Sequence, residues 1–228
     1  MLRIIIVNKP GHPIPYVGGV ERYSFELAKH LAKREIETLL ISSFLWKFHS
    51  KRINKLILVN APLPLYRIAK EGKFTWFLHH LIGSISYSIR TIRYILQLKV
   101  DVIHTNDGFT TFILHLLRFL LRRRFTLVTT IHAPPPWEMS YGKHITLIKI
   151  VYILLYVLGM LVADKVIGVN PVICKSLKKK KNKYVFVPNA LPDDYLRNDI
   201  KYIRLNNKKE LFRRMFFKGK KLKANLIN

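Results

Sequence analysis

One cysteine, Cys174, is all that the 228 residues contain, so no internal disulfide can form and the chain fits a reducing compartment. Acidic side chains are also scarce. Thirteen Asp and Glu stand against 40 Lys and Arg, a formal net charge of +27, which disfavours cationic partners and favours nucleotide phosphates, a negative lipid surface or nucleic acid. Long hydrophobic runs are missing. The longest, residues 150–163, falls short of the roughly 20 residues of a membrane-spanning helix and reads as a buried or membrane-surface helix. At the start, Met1-Leu2-Arg3 leads straight into Ile4-Ile5-Ile6-Val7, too short for the core of a secretory signal, so no leader is expected there. No spacing matches a metal site or a hydrolase elbow, and neither a metal nor a cofactor is expected.

What is present is an alternation. Short runs rich in Val, Ile and Leu at 2–7, 38–41, 56–59, 102–104, 127–131, 165–169 and 184–187 read as strands. Helical patterns at 20–33, 74–98, 110–121, 144–162 and 171–177 lie between them. Strand and helix in this order imply an α/β fold, a Rossmann-like, mostly parallel sheet with helices on both faces. No internal repeat is visible. From Lys178 the pattern decays, and residues 175–228 hold 17 Lys and Arg against four Asp and Glu. The expected organisation is one domain over residues 1–196 and a basic tail over 197–228, helical or disordered.

In an open parallel sheet, ligands bind beyond the carboxyl ends of the strands. After the first strand, Gly18 and Gly19 precede a helix whose free N–H groups and positive dipole end suit a phosphate, although a plain flexible loop would read the same way. The fourth strand ends in "DVIHTND", with His104, Asn106 and Asp107; the fifth ends in "TTIHAPPPW", with His132. Polar groups on these edges would face one crevice, where His132 could bond a sugar hydroxyl or a phosphate. Each histidine taken alone is more often structural. Asn170 reads as the cap of a helix begun by Pro171, and Asn189, in "VFVPNALP", would again stand at the sheet's carboxyl edge.

Taken together, "GGVERYSFELAKHLAKR", "DVIHTND", "TIHAPPPW", "ADKVIGVNPVICKSL" and "VFVPNALPDDYL" resemble the N-terminal, acceptor domain of the retaining glycosyltransferases of family 4, over roughly residues 2 to 196. The resemblance implies one half of a GT-B fold, in which two Rossmann-like domains face each other. It places Gly18 and Gly19 against the donor diphosphate or the acceptor and gives His132 a catalytic contact with the transferred sugar. His104, Asn106, Asp107 and Asn189 become lining. Asn106 stands where many relatives have a second His, Asn170 where Ser is usual, and Ala190 where the turn has Gly. In the family a C-terminal domain binds the nucleotide sugar and supplies two glutamates seven residues apart. No two glutamates here have that separation, so the donor half is expected from elsewhere, and the chain alone is expected to be nearly inactive.

The expected partners are a nucleotide-sugar donor, a sugar or lipid-linked acceptor, and a separate subunit carrying the C-terminal half. Arg118, Arg122, Arg123 and Arg124 beside Leu116, Leu117, Phe119, Leu120 and Leu121 form a basic, apolar helix end. Such a mixture suits an anionic bilayer, which implies a cytoplasmic chain, peripheral at the inner membrane face; a core helix with solvated arginines is the plainer reading. A non-catalytic binding or membrane-docking module is the alternative function. Nucleic acid is not the favoured partner, because the basic, aromatic-containing tail matches no reader module.

Overall fold

The computed structural model describes residues 2–9, 19–42, 50–61, 73–132, 147–169 and 183–187. All of these belong to a unit spanning Met1–Asn189. Gly18, Asn170, the helix expected at 171–177, Asn189 and the tail lie outside the described residues.

The chain runs β1 (Arg3–Asn8), α1 (Gly19–Lys33), β2 (Glu37–Ser42), β3 (Ser50–Ile53), β4 (Leu56–Asn60), α2 (Lys73–Gln97), β5 (Val102–Thr105), α3 (Gly108–Leu120), β6 (Thr126–Ile131), α4 (Leu147–Val162), β7 (Lys165–Gly168) and β8 (Tyr184–Phe186). The strands form one sheet in the order β3-β4-β2-β1-β5-β6-β7-β8. All pairings are parallel except that of β3 with β4. β3 is the strand that periodicity did not indicate. Ser50-Lys51-Arg52-Ile53 carries no apolar run, and it lies at the sheet's edge, where charged residues discourage further pairing.

Side chains alternate between the faces of a strand, and the core divides accordingly. Ile4, Ile6, Leu40, Leu56 and Leu58 pack on one face against Ala28, Phe25, Leu27 and Leu31 of α1. Ile5, Val7, Leu39, Ile41, Ile103 and Leu127 pack on the other against Tyr87 and Ile95 of α2 and Leu114 of α3. Ile131 and Val166 extend that second face under Met160 of α4. Helices therefore cover both faces, as the alternation implies.

Two features position the crevice. From β1 the chain first builds outward through β2 and β4, then crosses back to place β5 on the other side of β1. The strand order reverses between β1 and β5, and a crevice opens at such a point beyond the carboxyl ends. The second feature is the contact of α3 with α4, which cross at two glycines. A Cβ on Gly159 would lie 1.7 Å from the carbonyl oxygen of Gly108, and one on Gly108 would lie 2.7 Å from the carbonyl oxygen of Tyr156. The backbones touch at the level where α3 begins.

Candidate functional site

β1, β2 and β4 each end in a short polar residue, Asn8, Ser42 and Asn60, on the face that carries α1. Asn8 pairs laterally with Ser42, and Ser42 with Asn60. Asn106 and His132 follow β5 and β6 directly and, by the same alternation, continue the row. Hydrogen bonds link four of the five, Asn60 excepted: Asn8 Nδ2 donates to Ser42 Oγ at 3.2 Å, Asn106 Nδ2 donates to Asn8 Oδ1 at 3.2 Å, and His132 Nε2 lies 3.2 Å from Asn106 Oδ1. Five strands thus contribute one polar group each to the C-terminal edge of the sheet.

α1 closes over this row. Ser24 Oγ accepts from Asn106 Nδ2 at 2.5 Å and donates to the Val20 carbonyl at 2.8 Å. Tyr23 stands edge-on to His132, with ring centroids 4.8 Å apart at 72°, and 6.5 Å from the His104 ring. Gly19 lies one turn before Tyr23, at the first position of α1. A Cβ there would meet nothing within 4 Å, so packing among the described residues does not demand glycine.

His104 lies one residue pair deeper in β5, buried, with Nε2 2.6 Å from Thr130 Oγ1. Its Nδ1 has no hydrogen-bond partner among the described residues. Burial pushes the pKa of His104 down to about 4, with the nearby His132 adding to the shift, and burial also pushes His132 down to about 4. Both rings are therefore uncharged at neutral pH. Burial raises the Tyr23 phenol, which keeps it protonated. The described part of this edge presents neutral hydrogen-bonding groups in a row.

Asp107, expected as lining, faces the other side of the sheet. Its Oδ2 accepts from Thr110 N at 2.9 Å, Thr110 Oγ1 at 2.8 Å and Ser84 Oγ at 3.0 Å, and pairs with Lys9 Nζ at 3.0 Å. It is the N-cap of α3, satisfying free N–H groups of that helix. Lys9 in turn donates to Ser84 Oγ at 2.9 Å. The structure thus brings His104, Asn106 and His132 together under Tyr23 and gives Asp107 a separate role, while Gly18 and Asn189 lie outside the described residues. Among the described residues, no group of three His, Cys, Asp or Glu is placed to hold a metal.

Motif reading missed Asn8, Lys9, Tyr23, Ser24 and Thr130. One signal for Asn8 was present: "IIIVN", "LLIS" and "LILVN" each end in a polar residue two places after a buried apolar one. Nothing local marks Lys9 as the partner of a residue 98 positions later.

The family model for Glycosyltransferase Family 4 matches residues 17–195. No curated protein matches the sequence. Among solved structures, sucrose-phosphate synthase from Thermosynechococcus elongatus aligns with TM-score 0.55 at 12% identity, over 82% of this chain and 48% of that one. UGT2 of Phytolacca americana aligns with TM-score 0.52 at 16% identity, over 86% and 54%. The lipopolysaccharide outer core galactosyltransferase WaaB aligns with TM-score 0.51 at 9% identity, over 83% and 46%. The chain spans about half the length of these three, and at such identities the likeness is one of fold, that of one half of a GT-B glycosyltransferase. With the family model covering most of its length, this chain belongs to glycosyltransferase family 4.

Proposed function

We propose that the chain forms the acceptor-side wall of a sugar-transfer crevice, whose other wall is a C-terminal half that holds the nucleotide sugar. The observation that carries this reading is the hydrogen-bonded row from Ser42 through Asn8 and Asn106 to His132, at the switch point and under Tyr23. Uncharged amide, hydroxyl and imidazole groups in series match the alternating donors and acceptors of a sugar. They do not neutralise a diphosphate. That task falls to the N-terminus of α1, which begins at Gly19, and to basic groups of the other half.

In the reaction, the bond from the hexosyl C1 to the diphosphate oxygen breaks and a bond from C1 to the acceptor hydroxyl oxygen forms with retained configuration. The hydroxyl proton leaves with the diphosphate. His132 is the catalytic contact of this half, and His104, Asn106 and Asn189 position the groups around it. Most of the rate of such a step comes from orientation and preorganised charge, so one wall should give almost none of it. The test is transfer from radiolabelled nucleotide sugars, first with the purified chain, then with a C-terminal half added. Turnover is expected only in the second case and should fall steeply in His132→Ala. Full turnover by the chain alone, or undiminished turnover in His132→Ala, overturns the reading.

A second surface supports docking to an anionic bilayer. At the far end of α3, Phe119 and Leu120 are 80% and 71% exposed, and exposed Arg122, Arg123 and Arg124 follow. Arg118 is engaged with Asp164 at 2.6 Å. Apolar tips flanked by exposed cations match an anionic lipid surface, at about 1 kcal/mol for each nearby arginine. Among the described residues no helix is long and apolar enough to cross a membrane. α3 has 13 residues and so is about 20 Å long, which separates this patch from the crevice. Flotation with vesicles containing anionic lipid should carry the chain, and vesicles of neutral lipid should not; equal flotation or none in both removes this part.

A further inference from the structure

We propose that Ser24 and Asn106 form a positioning pair that holds His132 in a single tautomer, with the proton on Nε2 and with Nδ1 presented to the crevice as a hydrogen-bond acceptor. The chain of reasoning starts in α1. A serine hydroxyl has one proton, and Ser24 places it on the Val20 carbonyl at 2.8 Å. Toward Asn106, 2.5 Å away, Ser24 can therefore only accept, so Asn106 must turn its amide nitrogen to it. The second amide hydrogen goes to Asn8 Oδ1 at 3.2 Å, and Asn8 is itself oriented by its own amide donating to Ser42. Two independent neighbours thus fix the same orientation of Asn106.

With both of its hydrogens committed, Asn106 offers His132 only its oxygen, 3.2 Å from Nε2. A carbonyl oxygen cannot donate, so Nε2 carries the proton. A neutral imidazole has one N–H, and Nδ1 is left as a lone pair. Among the described residues Nδ1 has no hydrogen-bond partner, and the edge of Tyr23, 4.8 Å away between centroids, limits how the ring can turn. Burial, which lowers the His132 pKa, keeps the ring neutral near pH 7.

The consequence is chemical selectivity. A bare ring nitrogen takes a hydroxyl donor and repels a phosphate oxygen, so this position accepts a sugar hydroxyl and excludes the diphosphate. That consequence rests on the proposed sugar-transfer crevice; the tautomer itself does not.

The test is long-range proton–nitrogen NMR of the folded chain labelled with nitrogen-15 histidine, at pH 7 and through a titration. In the wild type, the nitrogen of His132 without a proton is expected to be Nδ1. In Ser24→Ala, Asn106 is free to turn and the two ring nitrogens should average toward mixed tautomers. In Asn106→Asp the tautomer should persist, and a carboxylate beside Nε2 should raise the affinity of His132 for a proton at least tenfold. Thermal unfolding confirms that each variant is folded, and Asn106→Asp stands as a test by itself if Ser24→Ala is not. An unprotonated Nε2 in the wild type, an unchanged tautomer in folded Ser24→Ala, or an unmoved titration in Asn106→Asp overturns the proposal. Failure of sugar transfer would count against the proposed function and leave the tautomer standing, and the wrong tautomer would overturn this inference while leaving the proposed crevice to be tested by transfer itself.

Discussion

Lys9 Nζ stands 3.0 Å from Asp107 Oδ2, with the two side chains 3% and 10% exposed, and the pair joins the end of β1 to the start of α3 across the point where the strand order reverses. Removing one partner breaks a buried ion pair, a loss of about 3–5 kcal/mol. Asp107→Ala should exceed that figure's lower end, because it also removes the α3 cap, and Lys9→Met should approach it. The double variant should lose less than the sum of the two, and denaturant midpoints in a double-mutant cycle measure the difference.

Gly159→Ala is expected to destabilise the chain by roughly 2–3 kcal/mol or more. The atom that its methyl would meet is the backbone oxygen of Gly108, 1.7 Å away, which cannot rotate aside as a side chain would. Since α3 must move to make room, Asn106 should lose its hold on His132. Thermal unfolding gives the first effect, and the His132 NMR signals give the second.

Stability should fall as the pH is lowered from about 6.5 toward 4. His104 and His132 have folded pKa values of about 4, below the ordinary 6.5. Between these values the unfolded chain binds more protons than the folded one, so acid favours unfolding. The stabilisation from burying neutral rings is complete above pH 6.5 and gone near pH 4, and a displacement of that size is worth roughly 3 kcal/mol for an isolated residue. Urea midpoints measured from pH 7.5 to 4.5 should show the decline, and His104→Gln should show a shallower one. A flat profile contradicts the burial of both rings.

Arg122→Gly should stabilise the fold by about 1 kcal/mol. Arg122 has φ 49, the left-handed region in which glycine is relaxed and other residues are strained. It closes α3 in a Schellman-type turn, with Arg123 N donating to the Arg118 carbonyl at 3.1 Å. The same variant loses one of the three exposed arginines and should float less with anionic vesicles. Opposite signs in the melting temperature and the flotation assay would separate the two roles of this residue.

The strand and helix alternation was legible because β1, β2 and β4 are short apolar runs, largely buried on both faces, and β5 and β6 carry buried Ile103, Leu127 and Ile131, so that each marks its own position. β3 was not, since an edge strand written Ser-Lys-Arg-Ile has no such mark. At the site, His104, Asn106 and His132 could be located by their place after apolar runs. Their grouping depends on lateral register, as when Asn8 falls opposite Ser42 and Ser42 opposite Asn60, and register is a property of the assembled sheet. The second role of Asp107 was hidden for a related reason. Its cap of α3 is local and readable, but its ion pair with Lys9 spans most of the domain.

The central claim, that one crevice lies over the row from Asn8 to His132, is tested most directly by amide chemical shifts of the labelled chain during titration with methyl glucoside and with methyl mannoside as sugar probes. The account predicts that at least one probe shifts Asn8, Gly19, Asn106 and His132 and leaves Asp101 and Arg124, at the opposite end of the sheet, unmoved. Shifts confined to Asp101 and Arg124, or none at millimolar concentrations of either probe, would contradict it.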